Sequence, residues 1–166
     1  MQTRRQILLG GAAVSLAACS GRDFPTRAYT GPEVTRIHVD KPARKLMLVH
    51  QDRALKQYDI GLGFSPEGHK QFEGDGRTPE GRYIIDRRNP NSPYLLSIGL
   101  SYPNERDIAF ARAAGRSPGG DIFIHGLGTV RPDRRDWTWG CIAVTNDAIK
   151  EIYWMVANGT PINIVG

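Results

Sequence analysis

Thr138-Trp139-Gly140-Cys141-Ile142 is the stretch of this sequence best suited to do chemistry. Cys141 stands between a loop rich in charge and turn residues, Arg131 to Trp139, and a helix start near Thr145. Gly140 has no side chain, so a substrate can approach the backbone closely there. Neighbouring N–H groups could then line an oxyanion site. His125, just before Gly126, falls at the end of a short apolar strand and faces a loop region, where sites tend to form. A free thiol has a pKa of about 8.5, so a nearby imidazole raises its thiolate fraction at neutral pH. The same imidazole can hand the proton to a leaving amine. Taken singly, both residues have plainer readings. Cys141 fits a small buried hydrophobe and His125 a satisfied loop histidine, and spacing alone leaves these open.

The elements that must position the pair read as strands and turns. Alternation over Val34–Val39 puts Thr35, Ile37 and Val39 on one strand face, and Lys45–His50 is an apolar run of strand length after a turn at Pro42-Ala43. Ala54–Ile60 reads as a third strand closed by Gly61 and Gly63, and residues 65–81 as loop. Arg82–Asp86 reads as a short strand. Tyr94–Tyr102 is an apolar stretch interrupted by Gly99, and Asp121–Ile124 leads into His125. Asn104 predicts the cap of a short helix to Ala114, stopped by Gly115. Thr145 predicts the cap of a second, whose face carries Ile149, Ile152, Tyr153 and Val156 at i, i+3, i+4, i+7. Asn158-Gly159 ends it, and Ile162–Val165 is a last strand. The sum is one mainly β (α+β) domain.

Ile124-His125-Gly126 followed by Thr138-Trp139-Gly140-Cys141-Ile142 resembles the catalytic signature of the L,D-transpeptidase (YkuD-type) domain. Gly74-Asp-Gly-Arg-Thr-Pro-Glu-Gly-Arg-Tyr83 resembles a second stretch of that family. The likeness runs from about Val34 to Val165. It implies a β-sandwich-like catalytic domain with Cys141 as nucleophile and His125 as base. The Gly126 backbone would orient His125, and the N–H groups of Gly140 and Cys141 would form the oxyanion hole. The implied substrate is the stem peptide of peptidoglycan, attacked at the L-centre of its third residue. Terminal D-Ala leaves, a thioester remains, and an amine or water resolves it. No metal or organic cofactor is implied, and the implied setting is cell-wall organisation and cell shape.

One position departs from the family pattern. Many members carry Arg two residues after the cysteine, and this chain has Ala143, which cannot make charge-assisted contacts. The form Cys141-Ile-Ala-Val-Thr-Asn146 resembles the YafK-type branch, some of whose members release a peptidoglycan-linked lipoprotein. Arg131, Arg134 or Arg135 could supply a carboxylate contact instead, against the plainer reading of a solvated charge cluster. Trp137 and Trp139 flank the motif, as a wall for a peptide or sugar ring or as loop packing. Ala143 also motivates a second reading, a non-catalytic peptidoglycan-binding lipoprotein with a decayed site.

Residues 1–18 read as an export signal. Arg4 and Arg5 precede an uncharged run, Ile7–Ala18, too short to span a bilayer, which takes about 20 residues. Thr3-Arg-Arg-Gln-Ile-Leu8 resembles a twin-arginine signal, and Leu16-Ala-Ala-Cys19 a lipobox that makes Cys19 the lipidated N-terminus. Residues 19–32 read as a polar tether and 33–166 as the domain. The expected product is a membrane-anchored lipoprotein facing the periplasm. Losing both arginines lowers the net charge of +5 to +3, and no basic stripe with interleaved aromatics appears, so nucleic acid is not expected as a partner. His38 and His50 sit in strand patterns and His69 in a loop. With no HExxH pair, a zinc hydrolase finds no support. Asp75 and Glu80 lie among turn residues and argue against a glycosidase pair. Two cysteines allow one disulfide or two separate jobs. Lipidation of Cys19 leaves Cys141 as a free thiol, with the two sulfurs expected well apart.

Overall fold

The computed structural model describes residues 29–166. The expected export signal, Cys19 and most of the expected tether lie outside the described residues. Eight strands form one sheet in the order β3-β2-β1-β8-β4-β5-β6-β7. These are β1 Arg36–Asp40, β2 Lys45–His50, β3 Arg53–Asp59, β4 Gly81–Asn89, β5 Ser97–Leu100, β6 Phe123–His125, β7 Ile142–Ala143 and β8 Pro161–Val165. Among the described residues two helices complete the fold, α1 Glu105–Ala113 and α2 Asn146–Met155.

Strand β4 joins the two halves of the sheet. Gly81–Ile84 pair with β8, and Ile85–Asn89 pair with β5, with the register shifting between Ile85 and Arg87. The sheet curls about this strand. Ile37, Val39, Leu46 and Leu48 from one half and Ile98, Leu100, Ile124 and Ile142 from the other are buried in one core. Helix α2 closes that core with Ile149, Ile152 and Tyr153, the face its apolar spacing predicts.

Both helix caps fall where the sequence puts them. Asn104 Oδ1 accepts from Arg106 N and Asp107 N, and Asp107 answers with a bond from Asn104 N, a reciprocal capping box. Thr145 Oγ1 accepts from Ala148 N at 3.2 Å. Helix α2 ends at Met155, before Asn158-Gly159. Gly159 N instead donates to Ile85 O at 2.7 Å, docking that turn on β4.

Two expectations change. Strand β4 runs on to Asn89, past Asp86, because the register shift lets Arg87–Asn89 pair with β5 without sequence alternation. Gly99 does not interrupt the apolar stretch; it lies inside β5. A Cβ there would lie 2.5 Å from Arg87 Cγ, so glycine lets the Arg87 side chain lie flat across the strand.

Candidate active site

Cross-strand register brings the predicted residues together. Arg87 pairs with Gly99, and Gly99 with Phe123. Ile124 pairs with Ile142 in the parallel β6–β7 ladder, so one step back Phe123 stands opposite Cys141. The next row on the same face is Asn89, Ser97, His125 and Ala143. Side chains in adjacent rows two residues apart share a face. Extending the alternation one residue before β7 sets Cys141 diagonal to His125, on the face opposite the buried Ile98–Ile124–Ile142 row.

The thiol points at the backbone of the strand entering β6. Its sulfur lies 3.5 Å from Asp121 O and accepts from the Phe123 N–H. Burial pushes the Cys141 thiol above its ordinary range, and the Phe123 N–H opposes this. The imidazole of His125 is 3% exposed. Its Nδ1–H donates to Gly126 O at 2.6 Å, which leaves the Nε2 lone pair as the basic site. Burial lowers its pKa below 6.5, and the Gly126 bond partly offsets this. Both shifts favour the uncharged forms. From the uncharged forms, an attack at this sulfur has the imidazole take the proton as the bond forms.

Two aromatic rings pack against His125. Tyr94 stacks on His125 with centroids 4.4 Å apart, and Trp137 meets both rings edge-on at 5.8 Å. Trp137 is therefore a wall of the histidine pocket. Trp139 points outward at 71% exposure and touches Phe64 edge to face at 4.9 Å.

Thr138 and Asn146 fix the backbone on either side. Thr138 is buried; its hydroxyl donates to Cys141 O at 2.7 Å and accepts from Gly140 N at 3.2 Å. The Gly140 N–H, expected in the oxyanion hole, is thus already taken, whereas the Cys141 N–H finds no acceptor among the described residues. Gly140 itself has φ +128°, and a Cβ would lie 2.6 Å from Arg77 O. Asn146, the first residue of α2, clips the loop after His125. Its Oδ1 accepts from Leu127 N and Gly128 N at 2.8 and 2.9 Å, and its Nδ2 donates to Gly128 O at 2.9 Å.

The arginine loop is mostly structural. Arg135 donates to Ile60 O at 3.0 Å and reaches Asp59, while Asp136 holds Arg44 and accepts from Leu62 N. Arg131 and Arg134 are exposed, and Arg131 donates only to its neighbour Val130 O.

The second motif builds the floor. Burial pushes the Asp75 carboxyl up, but the bonds it accepts from Lys70 Nζ and from the backbone N–H groups of Gln71, Phe72 and Arg77 outweigh this and hold it below the usual range. Glu80 pairs with the buried Lys41 at 2.7 Å. His69 bridges Asp107 and the Glu80 N–H at 3.0 and 2.9 Å. His69 also lines a shallow cavity with Lys70, Gln71, Arg106, Asp107 and Phe110, away from Cys141 and His125.

Sequence reasoning missed Tyr94, Asn146 and the clamp role of Thr138. It quoted the threonine and asparagine only as parts of a motif. Tyr94 sits 31 positions before His125, and only the β5–β6 pairing brings its loop beside the imidazole.

Comparison with known proteins agrees with this geometry. Residues 34–164 match the model of the L,D-transpeptidase catalytic domain, YkuD. YafK of Escherichia coli (strain K12) is 36% identical over 126 residues, which cover 72% of this chain and 46% of YafK. That similarity fits the Cys141-Ile-Ala-Val-Thr-Asn146 form. The helical cell shape determining protein Pgp2 of Campylobacter jejuni superposes with TM-score 0.62 and 28% identity, over 82% of this chain and 49% of Pgp2. Bd1075 of Bdellovibrio bacteriovorus gives TM-score 0.59 and 28% identity, over 80% of this chain and 48% of Bd1075. The chain thus spans less than half the length of each of these relatives. With its fold, its signature stretch and its matched span in agreement, the chain belongs to the L,D-transpeptidase catalytic domain family.

Proposed function

We propose that this protein is an exported cysteine acyltransferase of the peptidoglycan stem peptide, anchored through lipid on Cys19. The observation that carries the reading is the diagonal placement of Cys141 and His125 on one sheet face. His125 Nε2 takes the thiol proton as sulfur attacks the carbonyl at the L-centre of the third residue. A C–S bond forms, and the carbonyl oxygen takes up the displaced electron pair. The Cys141 N–H is the free donor available to that oxygen. Collapse breaks the C–N bond, and the imidazolium gives its proton to the departing amine. The thioester is then attacked by an acceptor amine, giving transpeptidation, or by water, giving hydrolysis or release of a wall-linked lipoprotein. His125 deprotonates that acceptor, and the thiol is restored.

The full-length protein incubated with purified tetrapeptide muropeptides is expected to yield tripeptide or 3→3 crosslinked products, and Cys141→Ala none. Binding to sacculi without Cys141-dependent turnover would favour the non-catalytic wall-binding reading. A diacylglyceryl-modified N-terminal Cys19 in the purified membrane fraction tests the anchor.

A further inference from the structure

The family's usual arginine position is closed in this chain. Ala143 is 3% exposed and bonded in both directions to Gly61, with N···O distances of 2.8 Å. A guanidinium is absent from that position. One lies instead on the same row as the thiol. Arg87 stands two strands from Phe123, with only the bare Gly99 between them, and its side chain crosses that gap. Its guanidinium carbon sits 4.7 Å from the Phe123 ring centroid, and Phe123 is the residue opposite Cys141.

The contacts of Arg87 are uneven. Nη1 is committed to Asp86 at 2.9 and 3.0 Å and to Leu100 O at 3.2 Å. Nη2 makes only a 3.5 Å approach to Asp121 Oδ1, a carboxylate 91% exposed. Asp121 is also the residue whose carbonyl receives the Cys141 thiol. A half-exposed arginine beside the nucleophile, held at one edge and weakly occupied at the other, is a seat for an incoming carboxylate.

We propose that Arg87 binds a substrate carboxylate adjacent to the scissile bond, with Asp121 occupying the seat until substrate displaces it. The inference rests on the stem-peptide reading above. Two carboxylates of such a peptide could fill the seat, the C-terminal one and, where the third residue is diaminopimelate, the one on its side chain, and selective amidation distinguishes them.

The test uses the Cys141→Ala protein, so that binding is read without turnover. Calorimetry is run with the tetrapeptide as free acid, with its C-terminus amidated, and with its third side chain amidated. We expect one amidation to weaken binding about tenfold or more, a scale set by charge-assisted pairing. Adding Arg87→Ala should erase that preference, Arg87→Lys should retain part of it, and Asp121→Asn should tighten the free acid. A thermal melt confirms that each variant is folded. Equal binding of all three peptides, a preference that survives Arg87→Ala, or no binding by the Cys141→Ala protein would overturn the proposal. Turnover by the wild-type protein is measured separately, so loss of carboxylate preference with Cys141-dependent turnover intact rejects Arg87 alone.

Discussion

Thr138 holds Cys141 by its backbone: the hydroxyl donates to Cys141 O at 2.7 Å while accepting from the N–H of Gly140, the residue between Trp139 and Cys141. The side chain of one residue therefore sets the turn that presents the sulfur. Thr138→Val keeps the shape and removes both bonds in a buried site. The expected cost is about 1–3 kcal/mol of stability, seen in a denaturant midpoint, with a slower acylation of Cys141. Thr138→Ser should recover most of both. A valine variant that acylates at the wild-type rate would contradict the clamp.

The pH profile of acylation should follow the two opposed shifts. Burial lowers the His125 pKa below 6.5 and raises that of Cys141. A lowered imidazole pKa keeps the base neutral further into acid, so the rate rises at a pH below 6.5 and is level through neutrality. No thiolate plateau appears on the acid side. Carbapenem acylation followed by mass spectrometry across pH gives the midpoint, and a value above 6.5 contradicts the burial argument. The same shift has a stability consequence. The unfolded imidazole binds protons first, so the contribution of neutral His125 is present above its ordinary pKa and is lost as pH falls toward the folded value.

Asn146→Ala should affect the base more than the nucleophile. It removes three hydrogen bonds to Leu127 and Gly128, the loop whose Gly126 carbonyl receives His125 Nδ1. The expected result is a reduced acylation rate at pH 7 with the alkylation rate of Cys141 at high pH retained. Loss of both together would mean that the asparagine matters only for folding.

Trp139→Ala tests the outer wall. The side chain is exposed and contacts Phe64, so stability should change by less than about 0.5 kcal/mol. If the ring stacks on substrate, KM should rise about 3- to 10-fold with kcat little altered, the range expected for one aromatic contact. Trp137→Ala, by contrast, opens the pocket of His125 and should lower kcat.

Much of this was legible in the sequence because it rests on local rules. Both helix caps, the apolar face of α2 and the strand ending at His125 follow from residue type and spacing. Strand β7 was not legible: two residues, Ile142 and Ala143, carry no periodicity, and only pairing with β6 and Gly61 makes them a strand. The stacking of Tyr94 on His125 depends on the β5–β6 pairing, and the reach of Arg87 depends on a glycine in the neighbouring strand. Neither has a signature along the chain.

Strand β8 lies between β1 and β4, pairing parallel to one and antiparallel to the other. It is the keystone of the sheet, so a chain cut before Pro161 would be left with two separate half-sheets and two raw edges facing each other. The row that holds Arg87, Phe123 and Cys141 sits on β4 to β7, and the β1 and β2 side chains that share its core would no longer be tied to it through the sheet. Completion of the sheet is thereby coupled to assembly of the reactive face, and a partly made or nicked molecule would carry a cysteine with no assembled site around it.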